Sequence, residues 1–493
     1  SGRDIAFLQR HETCAPSGDR GDEISLHPRS KTGLVNERSN PTTLVCAGES
    51  QICITPADDV LRAHSLNYCD GKRAGVKDTD GALAAGTLQT YAWEIYPTAG
   101  ADYYAMVNAI RRVRDVNFTI PGGFAFCDAR EPFLSMSDEE LGAWLDSKNA
   151  RTIALNILEP AHRGRHTHGT AFLLADHTPK HEFAERVRRI RPGTKVLVYF
   201  HCFISTEEAA PEKYADARIL AADGTGQEYP TGRPAEKGLF PMFLPLEDNE
   251  YGQKMREYVA MIMDECGADG VYWDELGQSH WQFHYGEPWD GVSADVDPET
   301  LTITQKKSAV TLITQPFRAS LIERILDDSI PLIGNGSPMT ATISQYHFPR
   351  FAETASVSNL LRAQLYTPIG LGDHRSEVTG RDCANNMRRY LNYGALYYFY
   401  HMQVTGPYPS ITAQMFPCTP IELHAGYVLA EERILTNTSG NFGWNDASDF
   451  AVHVYGRDGL EVADFAAPVV ERDGARFVEL RLPRNYMAAI IRK

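Results

Sequence analysis

Along the middle of the chain, short apolar runs alternate with longer stretches in which apolar positions recur every three or four residues, and this predicts strands separated by helices. Eight strands are expected, over 117–126, 152–159, 195–201, 269–275, 331–336, 347–354, 367–373 and 394–401. The intervening helix signals are local and chemical. Ser137 with Glu140 makes a capping box ahead of Leu141, Trp144 and Leu145. Thr178 caps a helix whose first residue is Pro179 and which Pro192 and Gly193 stop. Asn249 opens a helix lined on one face by Tyr251, Met255, Tyr258, Val259, Ile262, Met263 and Cys266 before Gly267 ends it. Tyr103, Tyr104, Val107, Ile110 and Val113 mark a further helix face ahead of the first strand. Strands alternating with helices predict a parallel sheet, and eight of them without a glycine-rich phosphate motif predict a closed (β/α)8 barrel.

The flanks read differently. Residues 1–88 are rich in Gly, Asp, Ser and Arg and predict an irregular, β-rich segment. Residues 421–434 read as a last helix, and from 450 to 491 polar and apolar residues alternate around Asp458-Gly459 and Asp473-Gly474, predicting a small antiparallel β domain. The expected organisation is therefore 1–88, a barrel over 89–420, and 421–493.

Composition removes several classes of function. With 493 residues, 43% hydrophobic and 23% charged, the chain has ample material for a core. Its 48 basic and 64 acidic residues give 48 − 64 = −16, a balance that repels polyphosphates, so no nucleic acid partner is expected. No charged residue occurs from Leu391 to Ile421, yet Gly406, Pro407 and Pro409 break the run, so no membrane span is expected. The start Ser1-Gly2-Arg3-Asp4 reads as a processed or trimmed product. Of the nine cysteines, Cys127, Cys202 and Cys266 lie in apolar patterns as reduced thiols, and Cys14, Cys46, Cys53 and Cys69 could form a local bridge.

In such a barrel, ligands sit at the C-terminal strand ends. The sharpest signal there is Gly267-Ala-Asp-Gly-Val-Tyr-Trp-Asp-Glu275, an apolar strand ending in two carboxylates. Desolvating a carboxylate is costly unless something uses it. Neighbours on a strand point to opposite sides, so only one of Asp274 and Glu275 is expected to face the mouth. Glu353 ends the sixth strand and is the natural second carboxylate, with Asp373 in reserve and Glu159 weaker. Two carboxyl groups facing each other suit glycoside cleavage, one attacking the anomeric carbon or steering water, the other protonating the departing oxygen. Trp273 and Trp281, with Trp93, Tyr96, Phe203, Tyr285 and Trp289, offer rings for sugar faces. Asp128, Asn156, His201, Asn335, His347, Asp373 and His374 offer polar groups for hydroxyls.

The strand Asp269-Gly-Val-Tyr-Trp-Asp274 resembles the nucleophile strand of retaining (β/α)8 glycoside hydrolases, the broad group that contains α-galactosidases, α-glucosidases and dextranases. The resemblance implies Asp274 as nucleophile, Glu353 as acid/base, no cofactor, and an oligosaccharide, polysaccharide or glycoconjugate as substrate. It leans toward a secreted or periplasmic location and fits a barrel trailed by a β domain. The Lys that commonly precedes the nucleophile of α-galactosidases is absent, and Glu replaces their acid/base Asp. Oligomeric state is not indicated.

Three other readings compete. Asp274-Glu275 resembles the side-by-side pair of substrate-assisted β-N-acetylhexosaminidases, with Asp274 orienting the acetamido group and Glu275 as acid/base. His166-Thr-His168 resembles the His-x-His pair of metal-dependent amidohydrolases, with His201, His347 and Asp373 to complete a site. A non-catalytic carbohydrate-binding barrel is the third. The oxygen-rich loop 290–297 lacks the calcium-loop pattern and reads as solvated surface.

Overall fold

The structure is a computed structural model. It describes residues 4–7, 33–35, 42–47, 50–69, 74–99, 102–157, 166–231, 233–234, 238–277, 279–353, 360–361, 363–372, 375–400 and 410–493. Glu159, Asp373 and His374, with Cys14, lie outside the described residues.

Eight strands form one parallel sheet in sequence order: Gly123–Cys127, Ala150–Leu155, Lys195–Phe200, Gly270–Trp273, Leu332–Asn335, Arg350–Glu353, Ile369–Leu371 and Leu396–Tyr398. The last meets the first through a parallel bridge between Ala125 and Phe399, where Phe399 N–H donates to Phe124 O at 3.1 Å, so the sheet curls into a (β/α)8 barrel. Six strands fall inside their expected windows; the first runs one residue past its window, to Cys127, and the second starts two residues early, at Ala150. Side chains alternate between the barrel interior and the surrounding helices. Registers such as Tyr199 beside Tyr272 and Asn335 beside Phe351 put one set of residues inside. That interior is aromatic: Phe124 lies 5.0 to 6.1 Å from the rings of Phe126, Tyr398, Phe351 and Tyr272.

Helices cover the outside. The capping box of Ser137 and Glu140 opens Asp138–Ser147, with Glu140 N–H donating to Ser137 Oγ at 3.2 Å and Ser137 N–H to Glu140 Oε2 at 2.7 Å. Helix Thr178–Ile190 begins at Thr178 itself and not at Pro179, so Thr178 is its first residue and not its cap; its N–H donates to Asp176 Oδ1. Asn249 accepts from Gly252 N–H at 2.7 Å and starts Glu250–Asp264, which buries Tyr251, Met255, Tyr258, Val259 and Ile262. Gly267, at φ +56, ends the turn that follows, a left-handed position that favours glycine.

Two antiparallel sheets precede the barrel. One joins Asp4–Phe7, Thr43–Ala47, Ser50–Pro56 and Trp93–Ala99; the other joins Gly33–Val35, Ser65–Cys69 and Ala74–Asp78. Trp93–Ala99 thus pairs with the N-terminal sheet, along Ser50–Pro56. Cys53 is a free, buried thiol, as are Cys127, Cys202 and Cys266, so the local bridge suggested for Cys53 does not form.

The expected helix over 421–434 is replaced by strands Pro420–His424, Tyr427–Ala430 and Arg433–Thr436. Gly426, at φ +85, turns the chain between the first two. Leu423, Val428 and Ala430 are buried while their strand neighbours are less so, a period of two that outweighs the apparent helical spacing. These strands join Phe450–Tyr455 and Met487–Arg492 in a five-stranded antiparallel sheet. A three-stranded sheet, Gly440–Phe442, Val469–Arg472 and Ala475–Leu480, lies beside it in sequence, with Asp473 and Gly474 both at positive φ in the hairpin turn.

Candidate active site

The fourth strand ends at Trp273, and the two carboxylates after it are pinned from both sides. Asp274 N–H continues the ladder to Phe200 O at 2.8 Å, and Leu276 N–H reaches Asn335 O at 3.2 Å. Between these anchors Glu275 sits at φ +49, a conformation that non-glycine residues rarely adopt and that neighbouring structure must impose. The left-handed turn changes the expected geometry. Glu275 has left the strand, so strand alternation no longer turns it away, and both acids serve the mouth.

Asp274 is held by four donors. Tyr199 Oη–H donates to Oδ2 at 2.5 Å, while Oδ1 accepts from Asn335 Nδ2 at 2.6 Å, Tyr272 Oη at 3.1 Å and Glu275 N–H at 3.1 Å. Because every partner donates, the arrangement is built for a carboxylate anion. Glu275 is held by His201. Phe203 N–H donates to His201 Nδ1 at 3.1 Å, which leaves the ring hydrogen on Nε2, facing Glu275 Oε2 at 3.3 Å.

Glu353 comes from the sixth strand, two places round the barrel, and its interior parity follows from the register of Asn335 beside Phe351. Backbones two strands apart are about 9.5 Å apart, a gap that inward-leaning Asp and Glu side chains narrow. Two tyrosines feel the charges of these acids. Burial, and then the negative charges of Asp274 and Glu353, push the Tyr272 phenol well above its ordinary value. Burial again, then Glu275, Asp274 and Glu353, do the same to Tyr229, which arrives from the long loop after the third strand and packs against His201. Tyr199, Tyr272 and Tyr229 were not singled out from the sequence. In Lys195-Val-Leu-Val-Tyr-Phe200 and Gly270-Val-Tyr-Trp273 a tyrosine reads as core, and only its even spacing from His201 or Asp274 marks it as inward-facing.

Other expected residues divide. Asn335 joins the cluster directly. Asn156 ends the second strand, its Oδ1 accepting from Ile157 N–H. Asp128 ends the first strand in an ion pair with Arg130 at 2.5 Å, and burial pushes its carboxyl up. Trp281 is partly buried, its Nε1–H donating to Glu228 O at 2.7 Å.

Two expectations are overturned. Trp273 has the opposite parity to Asp274 and is fully buried in the helix layer, edge-on to Phe200 at 4.9 Å, so it cannot stack on a ligand in the mouth. His347 precedes the sixth strand, which starts only at Arg350; it lies at the other end of the barrel, exposed and stacked on Phe118 at 5.4 Å. Trp273→Ala is expected to cost about 3–5 kcal/mol of stability through the cavity it opens. Chemical denaturation checks this; a stable variant with weakened sugar binding would restore Trp273 to the site.

His347's position also dismantles the metal set. His166 and His168 stack at 5.6 Å, and His168 lies edge-on to His201 at 5.7 Å. Among the described residues no group of three or more His, Cys, Asp or Glu is placed to hold a metal ion. In the 290–297 loop, Asp290 is occupied by the N–H groups of Val292, Ser293 and Ala309 and by Ser293 Oγ, and Asp295 by Lys307. Among the described residues no helix is long and apolar enough to cross a membrane.

No family model and no curated protein sequence matches the chain. Solved structures do. The GH36 α-galactosidase AgaA of Geobacillus stearothermophilus, solved as a variant with raffinose, aligns over 94% of this chain and 71% of its own at 10% identity, TM-score 0.51. AgaB from the same organism aligns over 94% and 71% at 9% identity, TM-score 0.50. A Listeria monocytogenes protein crystallised with α-D-glucose, β-D-glucose, magnesium and calcium aligns over 100% of this chain and 52% of its own at 10% identity, TM-score 0.51. At such identities the likeness is one of fold: the chain has the barrel architecture of glycoside hydrolases.

Proposed function

We propose that the chain is a retaining glycosidase in which Asp274 is the nucleophile and Glu353 the acid/base. The observation that carries this reading is the barrel register, which brings Asp274 and Glu353, 79 residues apart in sequence (353 − 274), to inward positions at the ends of strands two places apart in the sheet. Asp274 is locked by four donors, which suits a fixed anion, and Glu353 is exposed at the end of its strand, where a departing oxygen can reach it. In the first step Asp274 attacks the anomeric carbon while Glu353 gives its proton to the departing oxygen. In the second, Glu353 takes a proton from water, which attacks the same carbon and frees Asp274. Oligosaccharides, polysaccharides or glycoconjugates are the substrate class, in keeping with the barrel shared with GH36 α-galactosidases.

The side-by-side reading fits less well. Glu275 Oε2 receives the Nε2 hydrogen of His201 at 3.3 Å, a contact that engages an oxygen an acid/base would turn toward the leaving group. The test is a screen of aryl glycosides, followed by trapping with a 2-deoxy-2-fluoro glycosyl fluoride and peptide mapping. The label is expected on Asp274 and the released sugar with its anomeric configuration kept. A label elsewhere, or an inverted product, overturns the assignment. Ready turnover of a sugar without an N-acetyl group excludes the substrate-assisted route.

A further inference from the structure

The two oxygens of Asp274 are not equivalent. Oδ1 accepts from three donors, Asn335 Nδ2, Tyr272 Oη and the Glu275 backbone, at 2.6, 3.1 and 3.1 Å, and so has no lone pair left for another partner. Oδ2 accepts from Tyr199 Oη at 2.5 Å. Resting on the nucleophile assignment above, we propose that Oδ2 is the attacking atom and that the Tyr199 hydroxyl controls how fast the glycosyl-enzyme breaks down.

The electron balance gives the reason. On attack, an Oδ2 lone pair forms the bond to the anomeric carbon, the bond to the leaving oxygen breaks, and the Glu353 proton goes to that oxygen. Oδ1 becomes the ester carbonyl oxygen and keeps its three donors. Oδ2 becomes the bridging ester oxygen, whose charge is gone and which accepts hydrogen bonds poorly. On breakdown, water loses a proton to Glu353 and attacks, and the electron pair of the C–Oδ2 bond returns to Oδ2. The Tyr199 bond is therefore strong in the free enzyme, weak in the covalent intermediate, and regained as Oδ2 leaves. It raises the intermediate relative to the states on either side and so hastens release. Tyr199 is placed for this: its ring is fixed edge-on to Tyr272 and to His168, each at 5.5 Å. Burial, then the charge of Asp274, hold its phenol well above the ordinary value, so it remains a donor.

The experiment uses the full chain and a 2,4-dinitrophenyl glycoside of the sugar turned over fastest in the screen. Tyr199→Phe is expected to lower kcat roughly 10-fold, the scale of one hydrogen bond to a charged oxygen. KM should fall in parallel, kcat/KM should hold, and a burst of dinitrophenol should precede the steady state. Tyr272→Phe, which removes a donor to Oδ1, should lower kcat and kcat/KM together without a burst. Should Tyr199→Phe not fold, 3,5-difluorotyrosine at position 199, a stronger donor of similar shape, should raise the breakdown rate of the trapped fluoroglycosyl-enzyme. A Tyr199→Phe enzyme in which kcat and kcat/KM fall equally with no burst overturns the role of Tyr199. So does unchanged breakdown with fluorotyrosine. If the wild-type label maps away from Asp274, it is the nucleophile assignment that fails; a label on Asp274 without the kinetic split removes only the inference about Tyr199.

Discussion

Asp274→Asn is expected to fold and to lose roughly 10⁴-fold or more of its turnover, the scale on which loss of a covalent nucleophile is felt. The hydrogen-bond geometry says why the protein survives. Three donors converge on Oδ1, so the amide must keep its oxygen there. Nδ2 then faces Tyr199, whose hydroxyl can turn to accept where it formerly donated. Losing the charge-assisted bonds costs about 1–3 kcal/mol, which a melting curve will register without abolishing the fold. The check is kcat/KM with the best aryl glycoside beside thermal unfolding. Turnover near wild type would place the nucleophile elsewhere. Glu275→Gln sharpens the comparison. If Glu275 steadies His201 and the mouth, its loss weakens the reaction far less than that of Asp274; if the side-by-side reading holds, Glu275→Gln is the variant that stops it.

The barrel was legible because its evidence is repeated eight times, and any single strand could be misjudged without harming the whole. The capping box at Ser137 and the cap at Asn249 are local hydrogen bonds written directly in residue type, and they formed. What failed depended on a boundary or a turn. The sixth strand begins at Arg350 and not at His347, and Pro349 beside it gives up the N–H that would extend the ladder toward His347. The helix expected over 421–434 has apolar residues at helical spacing, but Gly426 at φ +85 makes a hairpin out of it. At the site, strand parity sends Trp273 outward, but it does not govern Glu275, which a left-handed turn carries beyond the strand. The tyrosines that grip Asp274 were hidden for a physical reason: the same ring that fills a barrel layer carries a hydroxyl to the carboxylate, and in an apolar run the ring dominates the reading.

Glu353→Ala provides the second large effect, and its pattern is more diagnostic than its size. A general acid matters in proportion to how badly the leaving group needs a proton. Hydrolysis of an alkyl or sugar glycoside is expected to fall by roughly 10² to 10⁴-fold, whereas the first step with a dinitrophenyl glycoside, whose leaving group departs as an anion, should be almost untouched. The second step loses its base in either case, so the glycosyl-enzyme should accumulate with the activated substrate. Azide needs no deprotonation. Supplied to Glu353→Ala it should attack the intermediate, restore turnover, and yield a glycosyl azide of the substrate's own configuration. Exposure of Glu353 at its strand end favours this rescue, because removing the side chain leaves the intermediate open to a small anion where water would have been activated. Asp274→Asn, by contrast, keeps Glu353 to protonate the departing oxygen while azide attacks the anomeric carbon from the opposite face, and rescue there should invert the product. Opposite stereochemistry from the two variants requires the two acids to flank one anomeric carbon. Inversion with Glu353→Ala, or no rescue with either, would separate them.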